Sequence, residues 1–309
     1  MARIGLSDLD VFPLNLGANT FGWTADAAAA EQVLDAYAAA GGNFVDTADS
    51  YAAWVPGNSG GESEETIGRW MARRGNREEM VIATKVSEHP GRRGLGAANV
   101  AAAAEDSLRR LGSDHIDLYY AHFDDAETPL AETVAAFDEL VTAGKVRWVG
   151  ISNYSAARVE EWFELAERGG HALPVALQPH YNLLARETFE TELRPLVERH
   201  RLGVMPYYAL ASGFLTGKYR SAEQAEGAAR SSLVADHLNE RGFAALAVVE
   251  EVAAEVGAET ATVALAWLRA QPTVVAPIAS ARNAEQVGPL VAAAELELSA
   301  EQLARLSGV

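Results

Sequence analysis

The chain contains no cysteine, which excludes disulfides, thiolate nucleophiles and cysteine-ligated metals at once. It is also poor in positive charge. Its 25 Lys and Arg are outnumbered by 43 Asp and Glu, giving a net charge of -18. A protein that grips nucleic acid or an anionic membrane needs a basic footprint to displace counterions, so neither partner is expected, and any anionic ligand must meet a local basic patch. Long apolar runs are missing too. None approaches the roughly 18 residues of a spanning helix, and the opening MARIGLSDLD carries two aspartates where a secretion signal would be apolar. These absences lead to the expectation of a cytoplasmic protein.

What is present is length and periodicity. With 309 residues, 49% of them hydrophobic, the chain can bury a large core. Short β-branched or aromatic runs alternate with longer Ala-rich stretches of helical period, as in βαβ units around a parallel sheet. The runs 14–19, 43–46, 80–85, 116–122, 146–152, 175–178, 203–207 and 274–279 read as strands. Between them 27–40, 63–74, 97–111, 130–143, 156–168, 188–200, 260–270 and 284–294 read as helices. About eight such repeats close a barrel, and no change of composition splits the chain, so the expectation is α/β, a single-domain (β/α)8 TIM barrel over residues 1–309. One segment departs from the alternation. Residues 213–241 are rich in Gly, Ser, Ala and charge between the seventh and eighth strands, and are expected to form a mobile lid over a ligand.

Barrel enzymes carry their chemistry at the C-terminal ends of the strands. Asp46, Lys85, His122, Ser152, Gln178 and Tyr207 all stand there, with Tyr51 shortly after the second strand. A free phenol titrates near 10, too high for easy proton exchange at neutral pH, and a nearby ammonium brings that value down. Lys85 can do this for Tyr51. A carboxylate keeps a desolvated ammonium charged, which suits Asp46, and a neutral imidazole can direct an N–H at a carbonyl oxygen, which suits His122. Each residue alone has a plainer reading: Asp46 as a cap, Lys85 as a solvated strand end, Tyr51 as a rim aromatic. Their combination favours catalysis.

The segments LGANTFGW, NFVDTADSY, VIATKV, DLYYAHFDD, GISNYS, LQPHYNLL, PYYALASGFLTGKY and PIASARNAEQ occur in this order, and with them the sequence closely resembles the aldo-keto reductases. The resemblance covers nearly the whole chain. It implies reduction of an aldehyde or ketone by a nicotinamide cofactor, with Tyr51 giving the proton, Lys85 and Asp46 tuning it, His122 orienting the oxygen, and no metal. It further implies that Ser152, Asn153 and Gln178 bind the carboxamide and that Tyr207 stacks on the ring. Leu210, Ser212, Gly213 and Lys218 would hold the pyrophosphate, and Thr20 and Phe21 would lie near the ribose. Ser280, Arg282, Asn283 and Gln286 precede a helix, where backbone N–H groups and a guanidinium can take a 2′-phosphate, so NADPH (NADP+) is expected over NADH. Pro289 and Leu290 depart from the family pattern at the adenine. Trp23, Trp54 and Phe123 are candidates for the wall of the pocket that takes the small-molecule carbonyl substrate.

Three other functions fit parts of this pattern. One is the reverse reaction, an alcohol or sugar dehydrogenase. Another is a nucleotide-sensing regulatory subunit built on the same barrel, against which the intact set of four residues speaks. The third is a Schiff-base enzyme using Lys85 as nucleophile. The sequence carries no signature of oligomeric state.

Overall fold

The computed structural model describes residues 1–221, 224 and 231–309. A short antiparallel hairpin of β1 (Ala2–Arg3) and β2 (Asp10–Val11) precedes the main sheet. That sheet holds β3 (Asn15–Gly17), β4 (Phe44–Asp46), β5 (Val81–Val86), β6 (Ile116–Ala121), β7 (Val146–Ser152), β8 (Pro174–Gln178), β9 (Gly203–Val204) and β10 (Ile278–Ala279). Its strands are parallel and run in chain order from β3 to β9, with β10 beside β3. The ring is closed on the other side of β10. Val204 donates to the Thr273 carbonyl at 3.0 Å, Val275 to the Val204 carbonyl at 2.9 Å and Ile278 to the Pro206 carbonyl at 2.9 Å.

The expected strands at 203–207 and 274–279 are therefore present but shorter. Pro206 and Pro277 have no N–H to continue a ladder, and regular pairing stops or starts beside them.

Around the sheet lie α1 (Ala27–Ala39), α2 (Glu62–Arg74), α3 (Ala97–Leu111), α4 (Leu130–Thr142), α5 (Ala156–Gly169), α6 (Arg194–His200), α7 (Ser231–Val234), α8 (Glu240–Val256), α9 (Thr260–Arg269), α10 (Val287–Val291) and α11 (Ala300–Ser307). Their boundaries have local causes. Asp26 caps α1 by accepting from the Ala29 N–H, and Ser155 caps α5 through Arg158. Helix α2 begins at Glu62 rather than Ser63: Gly61 takes the cap position, and the Ser63 hydroxyl donates instead to the Ala18 carbonyl at 2.8 Å. Its first turn carries Glu62, Glu64 and Glu65 and its last Arg73 and Arg74, the charge order that the helix dipole favours.

The expected cofactor-covering loop over 213–241 takes in residues 222, 223 and 225–230, which lie outside the described residues. Its end already belongs to α8, and no helix among the described residues is long and apolar enough to cross a membrane.

Two hydrophobic layers follow from the period-2 alternation along each strand. Phe44, Ala83, Leu118, Tyr120, Ala176 and Met205 point into the barrel, where Ile4, Leu9 and Val11 from the hairpin join them. Val45, Ile82, Val86, Tyr119, Val149 and Ile151 point outward under the helices. Continuing the inward parity by two residues brings Asp46 after Phe44, Lys85 after Ala83 and His122 after Tyr120. The catalytic candidates are thus the last inward positions of three neighbouring strands.

Candidate active site

Lys85 is fully buried, and all of its N–H groups are used. It donates to Asp46 Oδ2 at 2.6 Å, to the Thr47 carbonyl at 2.7 Å and to the Tyr51 hydroxyl at 2.9 Å. Asp46 also accepts from Gln178 Nε2 at 2.8 Å through Oδ1. Burial opposes the Lys85 charge, but Asp46 and Tyr51 outweigh it and hold the ammonium above its ordinary pKa.

The expectation that Lys85 brings the Tyr51 pKa down is half right. Burial raises the phenol, Lys85 pulls against it, and the net value stays above the ordinary 10.0. Tyr51 is thereby kept protonated, the state a proton donor needs. His122 lies edge-on to Tyr51, ring centroids 6.2 Å apart. Burial, then the Lys85 charge, holds its pKa well below 6.5. The imidazole is neutral, and its Nδ1 is buried without a hydrogen-bond partner.

A chain of hydrogen bonds joins this group to the fifth, sixth and seventh barrel strands. Ser152 Oγ donates to the Gln178 carbonyl at 2.8 Å. Asn153 donates to the His122 carbonyl at 2.9 Å and to Ser152 Oγ at 3.1 Å, and Tyr207 OH donates to Asn153 Oδ1 at 2.7 Å. Asn153 sits at φ 57, in the left-handed region where Asn is better tolerated than most residues. The Asn153 amide nitrogen is committed to two acceptors, whereas the Gln178 amide nitrogen spends one N–H on Asp46.

The residues expected around a dinucleotide divide into free groups and committed ones. Ala211, Ser212 and Gly213 have φ of 47, 57 and 95, a strained turn in which the Ala211 N–H is spent on the Tyr208 carbonyl and the Gly213 N–H on the Leu210 carbonyl, both at 2.8 Å. A Cβ on Gly213 would lie 2.9 Å from Lys218 Nζ, so glycine is what lets that ammonium lie over the turn. Lys218 and Arg282 are exposed, and neither has a carboxylate within ion-pair distance among the described residues.

Others act structurally. Asn283 accepts from the Gln286 N–H at 3.2 Å, Gln286 Oε1 accepts from the Arg282 N–H at 2.9 Å, and Ser280 donates to Asn19 at 2.8 Å. Thr20 gives its hydroxyl to the Ala281 carbonyl at 2.8 Å, and the Phe21 ring is fully buried, so neither side chain is open to a ribose. Leu210 packs against the core. Of the two departures at the adenine, Leu290 is buried and the Pro289 carbonyl accepts from Thr262.

Of the three aromatic candidates, Trp54 packs against Tyr51, Trp23 against Trp54 and Phe123 against His122. Trp23 and Trp54 meet edge to face at 5.6 Å, Trp54 lies 6.2 Å from Tyr51, and Phe123 lies 4.8 Å from His122. Trp54 and Phe123 are exposed, so they present apolar surface to solvent beside Tyr51 and His122.

Sequence reasoning missed several neighbours. The Thr47 carbonyl on Lys85 belongs to a backbone that no motif reveals. His180 stacks on Tyr207 at 5.4 Å, and with Arg186 and Arg241 it lines a cavity of about 610 Å³ that opens beside Tyr207 and Asn153. Asp124 and Asp125 are occupied by Arg158 and by the turn at Thr128.

A closed parallel barrel with a buried Asp–Lys pair against a tyrosine at its mouth is the frame of a (β/α)8-barrel oxidoreductase. Residues 13–309 match the family model described as the Aldo/keto reductase family. The chain is 33% identical to Protein tas of Escherichia coli (strain K12), covering 99% of this chain and 96% of that one. It is also 33% identical to a probable voltage-gated potassium channel subunit beta of Arabidopsis thaliana, covering 92% and 88% respectively. An aryl-alcohol dehydrogenase (NADP+) of Phanerodontia chrysosporium is 32% identical over 96% of this chain and 81% of its own. The chain belongs to the aldo/keto reductase family, and it is an oxidoreductase of the class that uses a nicotinamide cofactor on small carbonyl compounds.

Proposed function

We propose that the protein reduces an aldehyde or ketone with NADPH, Tyr51 supplying the proton. The observation that carries this is the Lys85 ammonium, shared between Asp46 at 2.6 Å and the Tyr51 hydroxyl at 2.9 Å. When bound, the nicotinamide supplies a hydride to the carbonyl carbon. Tyr51 gives the proton to the oxygen, and the phenolate left behind is stabilised by Lys85, whose own charge Asp46 maintains. His122, neutral across the physiological range, has one N–H with which to orient that oxygen.

Ser152, Asn153, Gln178 and Tyr207 would hold the nicotinamide end. Lys218, lying over the Ser212–Gly213 turn, would hold the pyrophosphate, and Arg282 beside Ser280 a 2′-phosphate, which favours NADPH over NADH. The aromatic side chains of Trp23, Trp54 and Phe123 suit an uncharged, flat carbonyl compound. The same site run backwards oxidises the alcohol, a direction supported by the aryl-alcohol dehydrogenase relative.

The direct test mixes protein, NADPH and a panel of aromatic and aliphatic aldehydes and follows the loss of reduced cofactor. Tight NADPH binding without turnover on any carbonyl or alcohol would instead favour a nucleotide-sensing subunit. Borohydride trapping of a substrate on Lys85 would point to Schiff-base chemistry.

A further inference from the structure

Asp49 is a buried acid for which the reaction at Tyr51 has no use. It is 1% exposed, and neither of its carboxylate oxygens has a hydrogen-bond partner. Its backbone N–H donates to the Lys85 carbonyl at 3.2 Å, and only Ser50 separates it from Tyr51.

Charged and titratable groups face it from every side. Glu64 of α2 is held by Arg110 of α3 at 2.6 Å and accepts from Thr84 at 2.5 Å. Lys85 of β5, Glu88 just beyond it and Arg110 itself lie within electrostatic reach, as does Tyr119 of β6, whose hydroxyl is also buried without a partner. The glycine loop before α2 covers the site: a Cβ on Gly60 would lie 3.1 Å from the Asp49 carbonyl oxygen and 2.9 Å from the His89 ring.

A carboxylate that is buried, beside another carboxylate and without a single donor is strongly disfavoured in its charged form. Burial and the Glu64 charge push the acid up to about 8, against the pull of Arg110 and Lys85. The turn that joins Asp49 to the catalytic tyrosine is itself held under strain, since the buried Ala52 sits at φ 71.

We propose that Asp49 is a neutral acid in the working enzyme, and that its ionisation switches the site off by drawing the 49–51 turn away from Lys85. Once charged, Asp49 must gain a donor. Arg110 exerts the stronger attraction of the two nearby cations and lies in the α2–α3 layer, away from the barrel mouth. Movement toward it carries Tyr51 off the ammonium. Asp49 touches no reacting atom and acts only through this turn. The inference rests on Tyr51 as the proton donor.

The test is a pH profile of kcat/KM for carbonyl reduction at saturating NADPH, for wild type, Asp49→Asn and Glu64→Gln. Wild type is expected to lose about tenfold or more, reversibly, with a midpoint near pH 8. Tyr51, held above 10.0, cannot be the source of that fall. Asp49→Asn mimics the neutral acid, so its rate near pH 7 should stay within about twofold of wild type and its alkaline fall should vanish. Glu64→Gln removes the neighbouring charge and should move the midpoint to lower pH. A flat wild-type profile overturns the proposal, as does an alkaline fall that survives in Asp49→Asn, or a folded, cofactor-binding Asp49→Asn that has lost most of its rate near pH 7. Should Asp49→Asn fail to fold, an unmoved midpoint in Glu64→Gln overturns it.

Melting temperature gives a readout free of turnover. The folded state holds a proton on Asp49 that the unfolded chain releases near 3.8, so wild-type stability should fall relative to Asp49→Asn between those two values. That divergence without turnover on any carbonyl would sink the reductase reading alone. Turnover without the divergence would sink the Asp49 proposal alone.

Discussion

Gln178 reaches across the barrel mouth from β8 and donates to Asp46 on β4 at 2.8 Å. Both side chains are buried, and the bond leaves Asp46 with Lys85 on one oxygen and an amide on the other. A residue expected to serve only the cofactor therefore also supports the catalytic carboxylate. Gln178→Leu should leave Asp46 Oδ1 buried without a donor and cost about 1–3 kcal/mol of stability, read as a lower urea midpoint. An unchanged midpoint would show that the amide contributes nothing to holding Asp46.

Tyr51→Phe separates proton transfer from binding. The ring keeps its place beside His122 and Trp54, and only the hydroxyl is lost. Under the proposed role kcat falls by about 10²–10⁴ while NADPH affinity, measured by fluorescence titration, stays within about twofold. A variant that keeps wild-type kcat would remove Tyr51 from the mechanism.

Much of this site was legible in the sequence because strand parity and strand ends are properties of sequence. Asp46, Lys85 and His122 are inward positions at the ends of strands whose hydrophobic alternation is plain, and they meet as that alternation requires. The β1–β2 hairpin escaped because two-residue strands show no period. Helix α8 escaped although its signals were present, with Asn239 capping through the Gly242 N–H and Gly257 closing the last turn at φ 66. The weak periodicity of the segment before it concealed the start. Phe21 and Thr20 show the converse: their motif was recognisable, but burial directs one into the core and hydrogen bonding ties the other to the Ala281 carbonyl. Asp49 was hidden in a polar run that reads as a solvated turn, because burial in a loop depends on what packs over it.

His122 gives a pH dependence with a defined sign. Burial and Lys85 place its pKa well below 6.5, so between that lowered value and the unfolded one the unfolded chain binds the extra proton. Stability at this site is complete above about pH 6.5 and is lost as the pH falls toward the folded value. His122→Gln, which cannot take up a proton, should lose less of its melting temperature than wild type on acidification from about pH 7 to about pH 5. Parallel curves for the two proteins would mean that the imidazole is not desolvated.

Gly150 is set by its neighbour inside the barrel. It pairs in register with Tyr120, and a Cβ there would come within 2.4 Å of the Tyr120 ring. Tyr120 in turn is in register with Lys85. Gly150→Ala should force the ring to shift at a cost of about 1–3 kcal/mol, seen as a fall in melting temperature together with reduced kcat as the layer under Lys85 is disturbed. If the variant melts with wild type, the interior has slack that the Gly150–Tyr120 approach does not suggest.

Arg282 tests the cofactor assignment. Its backbone N–H is engaged by Gln286 at 2.9 Å, which fixes the start of the turn into α10, while its guanidinium is exposed and meets no carboxylate among the described residues. A 2′-phosphate is the partner that the proposed pose offers this guanidinium. A charge-assisted bond of about 1.5–3 kcal/mol corresponds to a rise of roughly 10- to 150-fold in the NADPH Kd for Arg282→Ala. NADH has no phosphate at that position, so its Kd should move by less than about twofold. Parallel titrations of the two cofactors against wild type and variant decide the matter, because a general distortion of the loop would weaken both equally, whereas loss of a phosphate contact weakens only one.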